Sequence, residues 1–206
     1  MTSPDAYPRG RRLNMRGRAL PLRREVCDSP GSAGSRAREQ EVQVGEQASD
    51  AYAVVVFRDE FGAWQAGLLP ETLGDDLDGL VAALRQQPAP ESALALVDVA
   101  DEFFVLVRVQ GAEVRLLLSD VTASVSWDLA AQVAEALDVD VPGEDDLDEV
   151  WPVGDLGIVS DLGLDEMELG AILADVDAYA DEMLSAVARR LGFGDAYERV
   201  VDAVVG

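Results

Sequence analysis

The fold is decided by residues 94–118, which read LALVDVADEFFVLVRVQGAEVRLLL. This stretch holds three apolar runs, at 94–99, 103–109 and 112–118, and the polar pairs Asp101-Glu102 and Gln110-Gly111 separate them. Runs rich in β-branched and aromatic residues that are bounded by such turns are typical of strands. Because connections this short favour antiparallel hairpins, the stretch predicts three consecutive antiparallel strands.

The residues upstream of this stretch predict two more strands and a helix. The runs AYAVVVF (51–57) and AWQAGLL (63–69) flank the polar turn RDEFG, which is the pattern of a hairpin. Leu77, Leu80, Val81 and Leu84 follow with the spacing of one helical face. This helix must end before Pro88, because proline cannot continue it.

Downstream, the segment SWDLAAQVAEAL (126–137) predicts a second helix. Ser126 is the predicted N-cap and Asp128 lies in the first turn. The apolar face of this helix is predicted to consist of Trp127, Ala131, Ala134 and Leu137. The element order ββαβββα predicts an α+β fold: one five-stranded, mostly antiparallel sheet with these helices on one face. The order resembles that of profilin-like and longin-like domains, which implies nothing about function.

Residues 160–206 are predicted to form a helical C-terminal part. Its three apolar stripes are Met167, Ile172, Leu173 and Val176; Met183, Leu184, Val187 and Leu191; and Tyr197, Val200, Val201 and Val204. Gly192 is the predicted stop of the middle helix, where a left-handed residue ends it. The stripes are interpreted as faces buried against the domain, with a partner-binding face as the alternative.

Charge divides the chain into two parts. The 206 residues carry a formal net charge of −24 and contain neither His nor Lys. Residues 1–50 hold nine of the 16 basic residues and seven of the 40 acidic ones, which gives about +2 there and about −26 on residues 51–206. Residues 1–50 are predicted to be a disordered basic tail or an over-extended gene start. Residues 51–206 are predicted to be a single acidic domain that does not bind nucleic acid directly, since it would repel phosphates.

Composition removes most catalytic and cofactor chemistry. Without His there is no imidazole base, and the one cysteine, Cys27, cannot build a thiolate metal site or a disulfide within the chain. Schiff-base chemistry needs Lys, and no glycine-rich phosphate loop is present. No apolar run of about 18 residues occurs. We therefore expect a cytoplasmic protein that is not an enzyme and has no catalytic residues, no cofactor, no metal and no membrane contact.

The segment DVDVPGEDDLDE (138–149) is similar to a calcium-binding EF-hand loop. Ligands would come from Asp138, Asp140, Asp146 and Glu149, with Gly143 at the sharp turn. However, the fifth position is Pro142, which offers no side-chain oxygen, and VWPVGDLG follows where a helix should leave the loop. We interpret the segment as solvated carboxylates rather than a calcium site.

Two other carboxylate groups are also assigned ordinary roles. Asp165, Glu166 and Glu168 are predicted at a helix start, where negative charge is favourable. Asp98, Asp101 and Glu102 are predicted to lie in solvent at a strand turn.

Four phrases of the sequence are familiar: AYAVVVFRDEFGAWQAGLL, LLLSDVTAS running into a Trp-containing helix, WPVGDLGIVSDLGL, and RRLGFGDAYERVV. Through them, residues 51–206 resemble the actinobacterial family of tRNA adenosine deaminase-associated proteins. The resemblance implies an association, physical or by genetic neighbourhood, with the enzyme that makes inosine at the tRNA wobble position. It supplies no catalytic residues. The chain cannot itself be such a zinc deaminase, which needs an H-x-E…P-C-x-x-C signature.

The resemblance and the charge together suggest a partner. A deaminase that grips tRNA must present a basic surface, and an acidic domain is a suitable ligand for it. The predicted contact residues are Asp145, Asp146, Asp148 and Glu149, together with Trp151 as an aromatic anchor. The alternatives are that Trp151 is a core residue beside solvated acids, and that the chain is a free-standing structural or homo-oligomeric α+β module.

Overall fold

The computed structural model describes residues 51–141, 150–175 and 177–205. The predicted tail of residues 1–50 and Val176 lie outside these ranges. Six strands form one fully antiparallel sheet in the order β2-β1-β3-β4-β5-β6. Their bounds are β1 Ala51–Arg58, β2 Trp64–Leu68, β3 Leu94–Val99, β4 Phe103–Gln110, β5 Glu113–Leu118 and β6 Val153–Gly154. The α+β class and the five strands predicted from the sequence are confirmed.

The sixth strand was not predicted, because its two residues are too few to show an alternating pattern. It pairs Val153 with Leu118 and Gly154 with Leu117. Gly154 has a φ of +110°, and a Cβ atom there would lie 2.3 Å from the Leu116 carbonyl oxygen. Only glycine fits so close an approach of two backbones. The chain after residue 150 thus joins the sheet instead of starting the helix that an EF-hand requires.

Helices α1 (Leu77–Arg85) and α2 (Asp128–Leu137) cover one face of the sheet. Helix α1 begins at Asp76, whose carboxylate accepts a hydrogen bond from Gly79 N, and it ends before Pro88 as predicted. Alternate residues of the central strands, such as Val97 and Val107, point towards these helices and are fully buried.

Two details predicted for helix α2 are wrong. Trp127, not Ser126, occupies the N-cap position and makes no side-chain cap. The reason is that a 3₁₀ turn over Val121–Val125 extends as far as Ser126, which delays the helix start by one residue. The buried face consists of Leu129, Ala130, Val133 and Ala134, whereas the predicted Trp127, Ala131 and Leu137 are only half-buried.

Helices α3 (Glu166–Leu173), α4 (Ala180–Leu191) and α5 (Gly194–Val205) cover the opposite face. They pack on the other alternate residues of the strands, including Leu96 and Leu106. Phe193, between α4 and α5, lies 4.9 Å from the Trp64 ring of β2. Gly192 has a φ of +86° and ends α4, as predicted. The sheet is therefore covered on both faces within the described residues.

Helix α3 confirms one sequence prediction and corrects another. Asp165 Oδ1 accepts hydrogen bonds from Met167 N and Glu168 N, and Asp165 N donates to Glu168 Oε2 at 3.4 Å, which completes a capping box. Met167 itself was predicted to lie on the apolar stripe, but its side chain is 80 % exposed. It lies in the first turn of α3, whose one fully buried residue is Leu169. No helix among the described residues has the length and apolar character to cross a membrane.

Candidate functional site

The predicted acidic contact site lies mostly outside the described residues. Asp145, Asp146, Asp148 and Glu149 belong to the gap between 141 and 150, and their contact role stays a prediction. The gap is flanked by two exposed apolar residues, Val141 (53 %) and Val150 (72 %).

Trp151 fixes the end of this segment to the domain. Its side chain is half-buried against the apolar cluster under α1 and α2, and its carbonyl oxygen accepts a hydrogen bond from Val121 N at 3.0 Å. The residue is partly exposed. The residue therefore belongs to the edge of the core and also borders the acidic segment.

A second polar group lies where the sequence predicted only solvent. Asp98, on β3, is 1 % exposed, and its alternate position places it on the same face as Leu94 and Leu96, under the C-terminal helices. Tyr52 faces it from β1 as its cross-strand partner. Tyr197 of α5, also 1 % exposed, lies against the same face. The prediction of a solvated Asp98 is wrong, although Asp101 and Glu102 are exposed as expected.

The strained turn that follows Asp98 is hydrogen-bonded to the start of helix α4. Ala100 and Asp101 have φ values of +55° and +57°, and Glu102 N donates to Val99 O at 3.0 Å, so residues 99–102 form a tight turn with two left-handed residues. A left-handed alanine costs about 1 kcal/mol. Asp101 N donates to Asp98 Oδ1 at 3.1 Å, and Asp101 O accepts a hydrogen bond from Ala180 N at 3.3 Å. One short turn thus connects the buried carboxyl to the start of α4.

Two buried oxygen atoms of this group make no hydrogen bond, namely Asp98 Oδ2 and Tyr197 Oη. Burial raises the pKa of Asp98 to about 7, with the charges of Asp101 and Asp181 acting in the same direction. Burial likewise raises the pKa of Tyr52 to about 12. The pKa of Tyr197 also rises, first through burial and then through the neighbouring Tyr52. Near neutral pH the carboxyl is therefore poised between its acid and ionised forms.

We call Asp98, Tyr52, Tyr197, Asp101 and Asp181 the Asp98 cluster. Perturbed carboxyl groups of this kind often mark functional sites. Here both unpaired atoms belong to side chains that are nearly inaccessible to solvent, so a substrate has no access to them while α4 and α5 are packed on the sheet. Among the described residues, no group of three or more Asp, Glu, His or Cys side chains is arranged to hold a metal ion.

A buried arginine holds the segment 155–161 against the sheet. Arg108, 1 % exposed, forms a bidentate ion pair with Asp161, with Nη2 and Oδ2 2.8 Å apart, and donates from Nη1 to the Ile158 carbonyl at 2.8 Å. Its cross-strand neighbour Arg115 pairs with Asp155 at 2.6 Å and also donates to Ile158 O. The Arg108 guanidinium keeps the pKa of Asp161 below its usual range.

The sequence contains a signal for both buried polar groups. Asp98 and Arg108 each interrupt an apolar run of a central strand, at positions that alternate with buried neighbours. A charged residue in such a place is buried whenever both faces of the sheet are covered. Asp98 was assigned to solvent because it lies beside the strand turn at Asp101 and Glu102, and residues at such turns are normally solvated.

The comparisons with known proteins agree with the resemblance noted in the sequence. Residues 51–194 match the family described as Rv3753c-like tRNA adenosine deaminase-associated protein. Protein Rv3753c of Mycobacterium tuberculosis (strain ATCC 25618 / H37Rv) is 41 % identical over 155 residues, which cover 74 % of this chain and 88 % of that protein. No solved structure matches the chain. The family match and this relative together show that the chain belongs to the Rv3753c-like family of tRNA adenosine deaminase-associated proteins.

Proposed function

We propose that this protein is a cytoplasmic, non-enzymatic accessory protein that binds tRNA adenosine deaminase by direct protein–protein contact. The observation that carries this proposal is the charge of the domain, about −26 over residues 51–206, in a chain whose family is named for the deaminase. Such a charge disfavours contact with tRNA itself and favours a basic protein surface. A tRNA-binding enzyme offers that kind of surface.

The segment 145–149 is the proposed centre of the contact. It contributes Asp145, Asp146, Asp148 and Glu149 within five residues. The exposed Val141 and Val150 on either side and the accessible part of Trp151 add apolar surface. Protein interfaces commonly combine an aromatic or apolar centre with a charged rim, and this combination supports the assignment.

A non-enzymatic role is supported by the chemistry that the chain lacks. The sequence has no His, no Lys and a single Cys. The perturbed carboxyl of Asp98 lies beneath α4 and α5 rather than in an open cleft. We propose that the protein acts on editing through its partner, by competing with tRNA for the basic surface of the enzyme or by protecting the enzyme while that surface is empty.

Binding of the full chain to the deaminase of the same organism tests the proposal, by size-exclusion chromatography and calorimetry with and without tRNA. We expect co-elution at low salt, loss of affinity as ionic strength rises, and displacement by tRNA. Co-elution that survives tRNA would place the contact elsewhere on the enzyme and refute competition. No co-elution at low salt would refute the physical association.

A matched pair of variants locates the contact. Asp145→Arg/Asp146→Arg/Asp148→Arg should weaken binding at least about tenfold, because like charges that meet at an interface cost several kcal/mol. The control, Glu60→Arg/Glu198→Arg/Asp202→Arg, makes the same charge change at exposed positions on other elements. Equal weakening by both variants would show attraction by net charge alone and would reject the site. Light scattering of the isolated protein in high salt tests the alternative of apolar self-association. Oligomers held by apolar contacts should persist in high salt, whereas electrostatic association should weaken.

A further inference from the structure

The outer edge of strand β2 is an open edge of the sheet. Strand β1 pairs with β2 on one side, and no described strand pairs with it on the other. Leu69 N donates to Ala53 O at 2.8 Å, which makes these two residues a hydrogen-bonded pair. Because hydrogen-bonded positions alternate along an antiparallel ladder, the N–H and C=O groups of Trp64, Ala66 and Leu68 point away from β1, towards the open edge.

This edge lacks the features that normally stop an edge strand from pairing with another chain. Natural edge strands often carry charged residues, a proline or a bulge. Residues 61–70, FGAWQAGLLP, contain no charged residue, although 27 % of the chain is charged. The ladder with β1 runs without a bulge from Trp64 to Leu68. Phe61 is 86 % exposed and Leu68 is 47 % exposed. A regular, uncharged edge with exposed apolar side chains is a template for a further strand.

We propose that this edge pairs with the same edge of a second copy of the chain, so that two sheets join through an antiparallel β2–β2 contact centred on Ala66. In this two-fold register Trp64 lies opposite Leu68 of the second copy, and the two Ala66 residues lie opposite each other. Each outward N–H then meets a carbonyl oxygen of the other strand. The exposed Leu68 side chain gains an indole as its cross-strand neighbour, which is a favourable pair.

Charge favours a second copy over a basic partner at this edge. A basic strand gains no carboxylate partner from residues 61–70, whereas β2 is itself an uncharged strand of matching length. The nearest acidic residues in the sequence, Glu60 and Glu71, lie beyond the two ends of this run. In the two-fold register the Glu60 end of one copy meets the Glu71 end of the other. Salt should therefore strengthen this contact by screening repulsion.

The dimer leaves the proposed deaminase contact free. The acidic segment 145–149 immediately precedes Trp151 and β6, and β6 is the opposite edge strand of the sheet. One β2–β2 contact thus places one acidic segment towards each end of a continuous sheet. A contact through one short strand is small beside the roughly 1,600 Å² of a standard stable interface, so we expect a weak dimer.

Sedimentation equilibrium of the full chain over a range of concentrations tests the dimer. The mass should rise with concentration from that of one chain towards that of two. The dissociation constant should fall at least about tenfold between about 0.05 M and 1 M salt, whereas binding to the deaminase should weaken over the same range. A chain that stays monomeric at about 1 mM in this high salt would overturn the proposal.

A matched pair of variants locates the contact on β2. Leu68→Lys places a charge on the edge strand, which blocks pairing with another strand, and should weaken the dimer at least about tenfold. The side chain is 47 % exposed, so the fold should tolerate the change. Val125→Lys makes the same kind of change at a residue that is 52 % exposed on another element, and it should leave the dimer intact. Equal weakening by both variants would reject the β2 edge.

Cysteine cross-linking with a mild oxidant tests the register in a Cys27→Ser background. Ala66→Cys should give a covalent dimer, because Cα atoms of a hydrogen-bonded antiparallel pair lie about 5.5 Å apart, within reach of a disulfide. Leu68→Cys should not, because the two cysteines would lie about 13 Å apart along the strands. Efficient cross-linking of Leu68→Cys, or none of Ala66→Cys, would contradict the two-fold register.

Discussion

The buried arginine on β4 offers a sharp test of how the sheet holds the segment 155–161. Asp161→Ala removes the carboxylate that pairs with both Nη atoms of Arg108 and leaves a guanidinium that is 2 % exposed. Removing one partner of a fully buried pair costs about 3–5 kcal/mol. Asp161 is 54 % exposed, so water can replace part of the interaction. Arg108 also keeps its bond to Ile158 O. We therefore expect a loss of about 2 kcal/mol in the free energy of unfolding.

Urea unfolding followed by tryptophan fluorescence measures this loss as a fall in the midpoint at constant slope. The double variant Arg108→Met/Asp161→Ala should be less destabilised than Asp161→Ala alone, because it no longer buries an unpaired charge. Arg190→Ala is the matched control. This variant breaks the ion pair between Arg190 and Glu168, whose side chains are 55 % and 39 % exposed. It should lower the free energy of unfolding by less than about 0.5 kcal/mol. The reasoning fails if Asp161→Ala costs no more than this control.

Three further predictions follow from other parts of the fold. The pKa of Asp98 is about 7 in the folded protein and 3.8 in the unfolded chain. Between these pH values the folded protein keeps a proton that the unfolded chain has lost. The free energy of unfolding should therefore fall as the pH rises from about 4 to 7. The fall is at most about 4 kcal/mol, and urea unfolding of Asp98→Asn should show a flatter profile. Gly154→Ala places a Cβ 2.3 Å from Leu116 O and should lower the melting temperature more than Gly111→Ala, because no atom lies within 4 Å of a Cβ built at Gly111. Both glycines have a positive φ, so equal effects would show that only the backbone conformation matters. Asp165→Ala removes the capping box of α3 and should cost about 1 kcal/mol in urea unfolding, whereas no change would make that cap dispensable.

The elements of this fold could be predicted where the sequence repeats a pattern over several residues. Strand β3 and helix α1 have clear periods and clear stops, and both were predicted close to their observed bounds. Strand β6 has two residues and no period, so only the tertiary structure defines it. The start of α2 was misplaced because Ser126 is a good N-cap by type but already ends a 3₁₀ turn. Local propensity cannot reveal such competition between neighbouring elements.

The burial of Asp98 and Arg108 could not be predicted from the strand pattern alone, because it depends on the elements that cover this face of the sheet. Asp98 and Arg108 lie on the same face of adjacent strands, and α3, α4, α5 and the segment 155–161 enclose that face. An arginine cannot lose its charge in a protein, so burial of Arg108 requires a carboxylate, which Asp161 supplies. A carboxyl group has a second solution, because it becomes neutral when it binds a proton. Since no described cation faces Asp98, the fold fixes one position by an ion pair and leaves the other sensitive to pH.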